Sequence, residues 1–188
     1  MQQKQIFIGN ILFIACCGFY LAWWLLTFKT YTESVAMRTG WLLIPASFTG
    51  LAGVVLILNG ILAKAPAARL IPAGYILWGG IAAFIVLLAV TVWIFKRPAT
   101  SELVLIVGWG MLALAEIDAL FGAGLFSHKL SAGFFAVICA ASVISLICYI
   151  LYYRLDSRAG YIDGMIPLLL AALVMAGISC FMAFDAVL

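Results

Sequence analysis

The sequence predicts an all-α polytopic membrane protein of about six transmembrane helices, a single transmembrane domain over residues 1–188. Two observations carry this. The chain is 68% hydrophobic and only 9% charged, whereas a soluble domain carries about 25% charged residues. There is too little polar surface to coat a particle in water. A spanning helix needs about 20 apolar residues, so these 188 residues hold six helices with short connections. No stretch remains for an ATPase, receiver or DNA-binding domain.

The apolar segments run over residues 6–28, 41–63, 71–95, 103–126, 131–153 and 162–188. The first carries only Lys4 ahead of it, is too long for a signal-peptide core and has no small-x-small cleavage site behind it. It reads as the first membrane helix. The second and third are separated by Ala65-Pro66-Ala67-Ala68-Arg69, the third and fourth by Lys96-Arg97-Pro98-Ala99-Thr100. Proline and charge together stop a helix at both places. Connections this short make consecutive helices antiparallel neighbours. Pro45 and Pro167 fall inside the second and sixth segments and are expected to kink them.

Lys29, Arg38, Lys96, Arg97, Arg154 and Arg158 fall on one side of this topology, and Lys4, Lys64, Arg69 and Lys129 on the other. The excess of bases belongs in the cytoplasm, which puts both termini outside. The net charge of +3 is spread over helix ends and gives no nucleic-acid surface. Phe28-Lys29, Phe95-Lys96 and Tyr153-Arg154 each close an odd-numbered segment, and Gly40-Trp41, Gly108-Trp109 and Gly160-Tyr161 follow them. This pattern fits three helical-hairpin repeats. Ala73-Gly74-Tyr75-Ile76 against Ala159-Gly160-Tyr161-Ile162 fits two inverted halves instead, each tetrapeptide opening a helix.

Glu116 and Asp118 stand in the middle of the fourth segment. An ionised acid at the bilayer centre costs about 2.5–3.5 kcal/mol on insertion scales, so neither is expected to face lipid. Two residues apart on a helix they diverge by about 200°. One is therefore expected to line a path and take part in proton binding, the other to pack against a neighbouring helix. Asn59 and Asn10 are the other polar groups deep in the helices. Asp163 fits the first turn of the last helix, where the helix dipole favours an acid. Thr49, Ser47, Ser142, Ser145 and Ser179 are expected to satisfy backbone carbonyls. Trp41 and Trp93 fit interfacial belts, while Trp78 and Trp109, each beside glycine, are candidates for an aromatic constriction that passes small neutral solutes.

The five cysteines lie inside apolar stretches without a Cys-x-x-Cys pair, and read as small buried residues. His128, the one histidine, is expected in a loop, so no helix offers a haem ligand. No Ser-His-Asp set, His-x-Glu motif or phosphate loop assembles. Asp156-Ser157-Arg158-Ala159-Gly160-Tyr161-Ile162-Asp163-Gly164 lacks the further aspartates of the lipid-alcohol transferases it loosely matches. No cofactor, metal or enzymatic activity is expected.

Phe48-Thr49-Gly50 with Gly60, and Ala159-Gly160-Tyr161, are similar to the glycine-rich second helix and the Ala-Gly-aromatic opening of the last helix in the acetate/succinate transporters. In length and hairpin layout the chain resembles both that family and the proton-gated urea and amide channels. The Asn-Pro-Ala-Pro signature of the acetate group is absent, with Gly9-Asn10 near its place, and both termini outside agrees better with the channels. The resemblance implies a ring-shaped homo-oligomer in a bacterial or archaeal cell membrane, each protomer with its own path. The expectation is a channel or facilitator for a small neutral solute or protonated weak acid, gated at Glu116 or Asp118 and lined by Trp109, Trp78 and Asn59. The alternatives are the membrane-embedded binding subunit of a vitamin transporter and a non-transport assembly or signalling protein.

Overall fold

A computed structural model describes residues 2–28, 39–63, 69–72, 74–94, 101–152 and 154–185. The protein is an all-α membrane protein. Its long helices are α1 (Gln2–Phe28), α2 (Leu43–Leu62), α3 (Tyr75–Ala89), α4 (Ser101–Gly122), α5 (His128–Tyr152) and α7 (Ile166–Asp185), with a short α6 (Ser157–Asp163) before the last. Six stretches are long and apolar enough to cross a bilayer, the sixth running through α6 and α7 from Arg158 to Phe184. Lys29, Arg38, Lys64, Lys96 and Arg97, on which much of the topology count rests, lie outside the described residues.

The chain forms two compact units, Met1–Ala65 with Leu151–Leu188, and Pro66–Ile150. In the first, α1 packs along α2 and against α7. Glycine makes the α1–α2 contact possible. A Cβ on Gly60 would lie 2.5 Å from Cγ1 of Ile6, and one on Gly50 would lie 2.8 Å from Sγ of Cys16. Lipid gives helices no hydrophobic reason to associate, so close van der Waals packing of small residues supplies the attraction.

The sixth crossing is made of two pieces. Asp156 caps α6 by accepting a hydrogen bond from Ala159 N at 3.0 Å. Helix α6 ends at Asp163, and α7 begins at Ile166 after a turn at Gly164 and Met165. Asp163 therefore closes α6 and does not open the last long helix. Trp24 holds this elbow. Its indole donates to Tyr161 O at 3.1 Å, its ring lies 5.9 Å from that of Tyr152, and it covers Gly164 so closely that a Cβ there would clash with the ring.

Both prolines expected to kink a helix mid-span instead sit at helix starts. A 3-10 turn, Gly40–Leu42, precedes α2, so Pro45 is in the first turn, and Pro167 is the second residue of α7. A missing N–H costs little at Pro167 because the first N–H groups of a helix lack intrahelical partners. Pro45, in contrast, follows a turn whose bonds already run from Leu43 N–H to Gly40 O and Trp41 O, and it stands where the stretch passes from 3-10 to α.

In the second unit, α3 begins later than the hydropathy pattern predicts. Pro72 disfavours helical backbone at Ile71, and Gly74 takes a left-handed φ of +88° just before Tyr75. Gly160, in contrast, lies inside α6 and is not left-handed. Gly74 and Gly160, the glycines of the two tetrapeptides, are thus not structurally equivalent. Helix α3 passes into a π-helical turn at Val90–Ile94.

Helix α4 stops at Gly122, earlier than the apolar run to Phe126. Gly124 is left-handed (φ +76°), its N–H bonds Phe121 O at 2.9 Å, and Leu125 N–H bonds Leu120 O at 3.1 Å. This is a Schellman cap, which uses a glycine beyond the helix end to satisfy its last carbonyls. His128, expected in a loop, is the first residue of α5, with its ring 6.0 Å from Phe121.

Candidate functional site

Helix α4 is the most enclosed of the six crossings. Half of its most apolar stretch is buried within the chain, against 6% for α3. Its acidic positions follow from that. Glu116 is fully buried and Asp118 is 6% exposed, so a 200° divergence still leaves both inside.

The two acids have different surroundings. Asp118 Oδ1 accepts hydrogen bonds from Leu70 N at 2.8 Å and Ile71 N at 3.3 Å. Its Oδ2 lies 4.0 Å from Arg69 Nη1. Arg69 is half-exposed, and such a pair is worth about 0–1 kcal/mol. The backbone bonds matter more. An unmet buried N–H costs about 1–3 kcal/mol, so Asp118 holds the connection that leads into α3. Because Gly122 ends α4, Asp118 stands one turn from the helix end and not at mid-membrane.

Glu116 lies two residues deeper and shares its face with Trp109, seven residues earlier. Ala113 and Leu120 complete that buried face, the spacing that places side chains above one another on a helix. The Trp109 indole nitrogen is buried and has no hydrogen-bond partner among the described residues. Helix α5 packs beside α4, since a Cβ on Gly110 would lie 2.8 Å from Ser142 Oγ. Its buried face carries Ser131, Ile138, Ala141, Ser145 and Cys148. Ser131 Oγ and Ser145 Oγ also lack partners among the described residues.

The other residues expected to line a path face outward. Trp78 is 68% exposed, on the first turn of α3. Asn59 is exposed near the end of α2. Neither belongs to the buried face that carries Trp109 and Glu116. Asn10 is fully buried in α1. Trp41 and Trp93 are exposed at the ends of their crossings, as an interfacial belt requires.

No family model, curated protein or solved structure matches this chain. The site therefore stands on its own chemistry. Among the described residues no group of three His, Cys, Asp or Glu side chains could hold a metal ion, and all five cysteines are free thiols.

Sequence reasoning singled out Glu116, Asp118 and Trp109 but missed what Asp118 holds. Arg69 just ahead of Leu70-Ile71-Pro72 was the available signal, a base in a tight connection beside which an acid can sit. It also assigned Ser145 to backbone carbonyls. Nothing in the pattern separates Ser145 from Ser179, which does donate to Met175 O at 2.8 Å.

Proposed function

We propose that this integral membrane protein is a channel or facilitator for a small solute, neutral or a protonated weak acid, with Glu116 as its polar gate. The observation that carries the reading is the wholly buried Glu116 on the most enclosed crossing, in line with Trp109. An ionised acid costs about 2.5–3.5 kcal/mol at a helix centre on insertion scales, and Glu116, six residues from the end of α4, bears part of that cost. Intramembrane acids of this kind commonly mark solute or proton paths. Asp118 has no part in the path in this reading, since its bonds to the 69–71 connection make it a structural acid. Trp78 and Asn59, outward in one chain, belong to the lipid boundary or to a contact between copies.

The reading agrees with the resemblance to the small six-helix uptake families, and with it we propose a homo-oligomer whose protomers each carry a path, both termini outside. The test is solute flux into proteoliposomes at two pH values, wild type beside Glu116→Gln. Flux above that of empty vesicles, with a pH response that the variant lacks, supports the reading. No flux of any small solute above empty vesicles defeats it and favours a non-transport assembly protein.

A further inference from the structure

The intramembrane hydroxyls divide into two kinds. Ser47, Thr49, Thr91 and Ser179 each donate to the carbonyl four residues back, at 2.7–2.8 Å. This is the usual way for a hydroxyl in a helix to satisfy itself. Ser145 does not. It is 1% exposed, and its Oγ has no partner among the described residues. The Trp109 indole N–H, 7% exposed, is in the same condition. Buried polar groups are nearly always paired, and those that are not call for a function or a bound molecule.

Ser131, at the start of α5, is a third such donor, but Trp109 and Ser145 belong to one place. Gly110 against Ser142 sets the register of the α4–α5 hairpin. Helices joined by so short a connection run antiparallel, so Trp109, one residue before Gly110, and Ser145, three after Ser142, are displaced in the same direction. Their levels differ by about 3 Å at 1.5 Å per residue. Trp109 is rotated about 100° from Gly110 and Ser145 about 60° from Ser142, which on antiparallel helices turns both toward one side of the hairpin. Burial agrees, since Val143 and Ile144 are exposed while Ala141 and Ser145 are buried. Glu116 is on that side too, about 10 Å further along α4.

We infer that Trp109 and Ser145 form the recognition station of the path, where the indole N–H and the hydroxyl together hold a carbonyl or carboxyl oxygen of the solute. The inference rests on the transport reading and adds Ser145 as a specificity residue. A carbonyl oxygen has two lone pairs and accepts from two convergent donors at once. A site built on donors discriminates against solutes that cannot satisfy them, because the donors are then left buried and unmet.

The test is osmotic swelling of proteoliposomes with acetamide, whose amide carbonyl is a strong acceptor for both donors, and glycerol, whose hydroxyl oxygens are weaker acceptors and bring donors of their own. The variants are Ser145→Ala, Ser145→Thr and Trp109→Phe, each checked for thermal stability in detergent. Ser145→Ala and Trp109→Phe are expected to cut acetamide flux roughly tenfold, the loss of one hydrogen bond, and glycerol flux less than about twofold. Ser145→Thr keeps the hydroxyl and is expected to keep acetamide flux. Equal loss for both solutes, or no loss for either, overturns the station. So does an unchanged selectivity with lowered stability in Ser145→Ala, which would mark a serine that only holds a structural water. Wild type that passes neither acetamide nor glycerol above empty vesicles overturns the station, and failure of the transport reading looks different, because wild type then passes no small solute at all.

Discussion

Gly9 and Gly53 meet backbone to backbone, and a Cβ on either would lie 2.9 Å from the other's carbonyl oxygen. Nothing flexible stands between them to move aside. Gly53→Ala is expected to separate α1 from α2 and to lower stability in detergent by about 1–3 kcal/mol, the usual cost of overpacking. Gly133, in α5, has no atom within 4 Å of where its Cβ would lie. Gly133→Ala is expected to leave stability unchanged or raise it slightly, since alanine is the better helix former. Thermal denaturation of the two variants side by side checks the contrast. Equal effects would remove the special role of the Gly9–Gly53 contact.

Asp118 makes a second, chemical contrast. Asp118→Ala leaves the part-buried Leu70 and Ile71 N–H groups without their acceptor and is expected to cost about 1–3 kcal/mol in all. Asp118→Asn retains a side-chain oxygen and is expected to lose less. Arg69→Gln is expected to cost under about 1 kcal/mol, because its pairing distance is long and the guanidinium is half-exposed. The same thermal assay orders the three variants. Arg69→Gln as harmful as Asp118→Ala would show that charge, not backbone capping, holds this connection.

The Trp24 elbow gives a coupled pair. Gly164→Ala drives a methyl group into the Trp24 ring, and Trp24→Phe removes the bond to Tyr161 O while making room. Each single variant is expected to lose stability. The double variant is expected to lose less than the sum, by about 0.5–3 kcal/mol of coupling. Strict additivity in a double-mutant cycle would mean that the two residues do not act together.

Glu116→Gln is expected to keep the fold, because the amide fills nearly the same volume, and to abolish the pH response of solute flux, because an amide does not titrate. The same exchange at Asp118 is expected to act on stability and to spare the pH response. Flux at two pH values, measured beside thermal stability, separates the two acids. If both variants keep the wild-type pH response and only stability changes, Glu116 is structural.

The number of crossings was legible because hydropathy over 20-residue stretches reports it directly. The ends were not. Gly124 and Gly74 stop α4 and start α3 through left-handed backbone, and glycine is too common in these helices for any one of them to announce that role. The break at Gly164 was hidden for a related reason, since an apolar run reads the same whether one helix or two carry it. Within the site, depth in the membrane marked Glu116 correctly as a buried acid. Which way a tryptophan faces is a property of packing. Trp78 and Trp109 both follow or precede glycines in sequence, yet one is exposed and the other enclosed.

Helix α3 has no buried residue in its α-helical part, and it meets α4 at Gly80, where Met111 fills the groove. The described residues cover little of this helix. Its position depends on lateral pressure from lipid or from another copy more than on contacts of its own. Detergents that strip the annulus would remove that support from α3 first, while α4, enclosed by protein, would keep its place. Preparations in nanodiscs and in harsh detergent are thus expected to differ in α3 before they differ anywhere near Glu116.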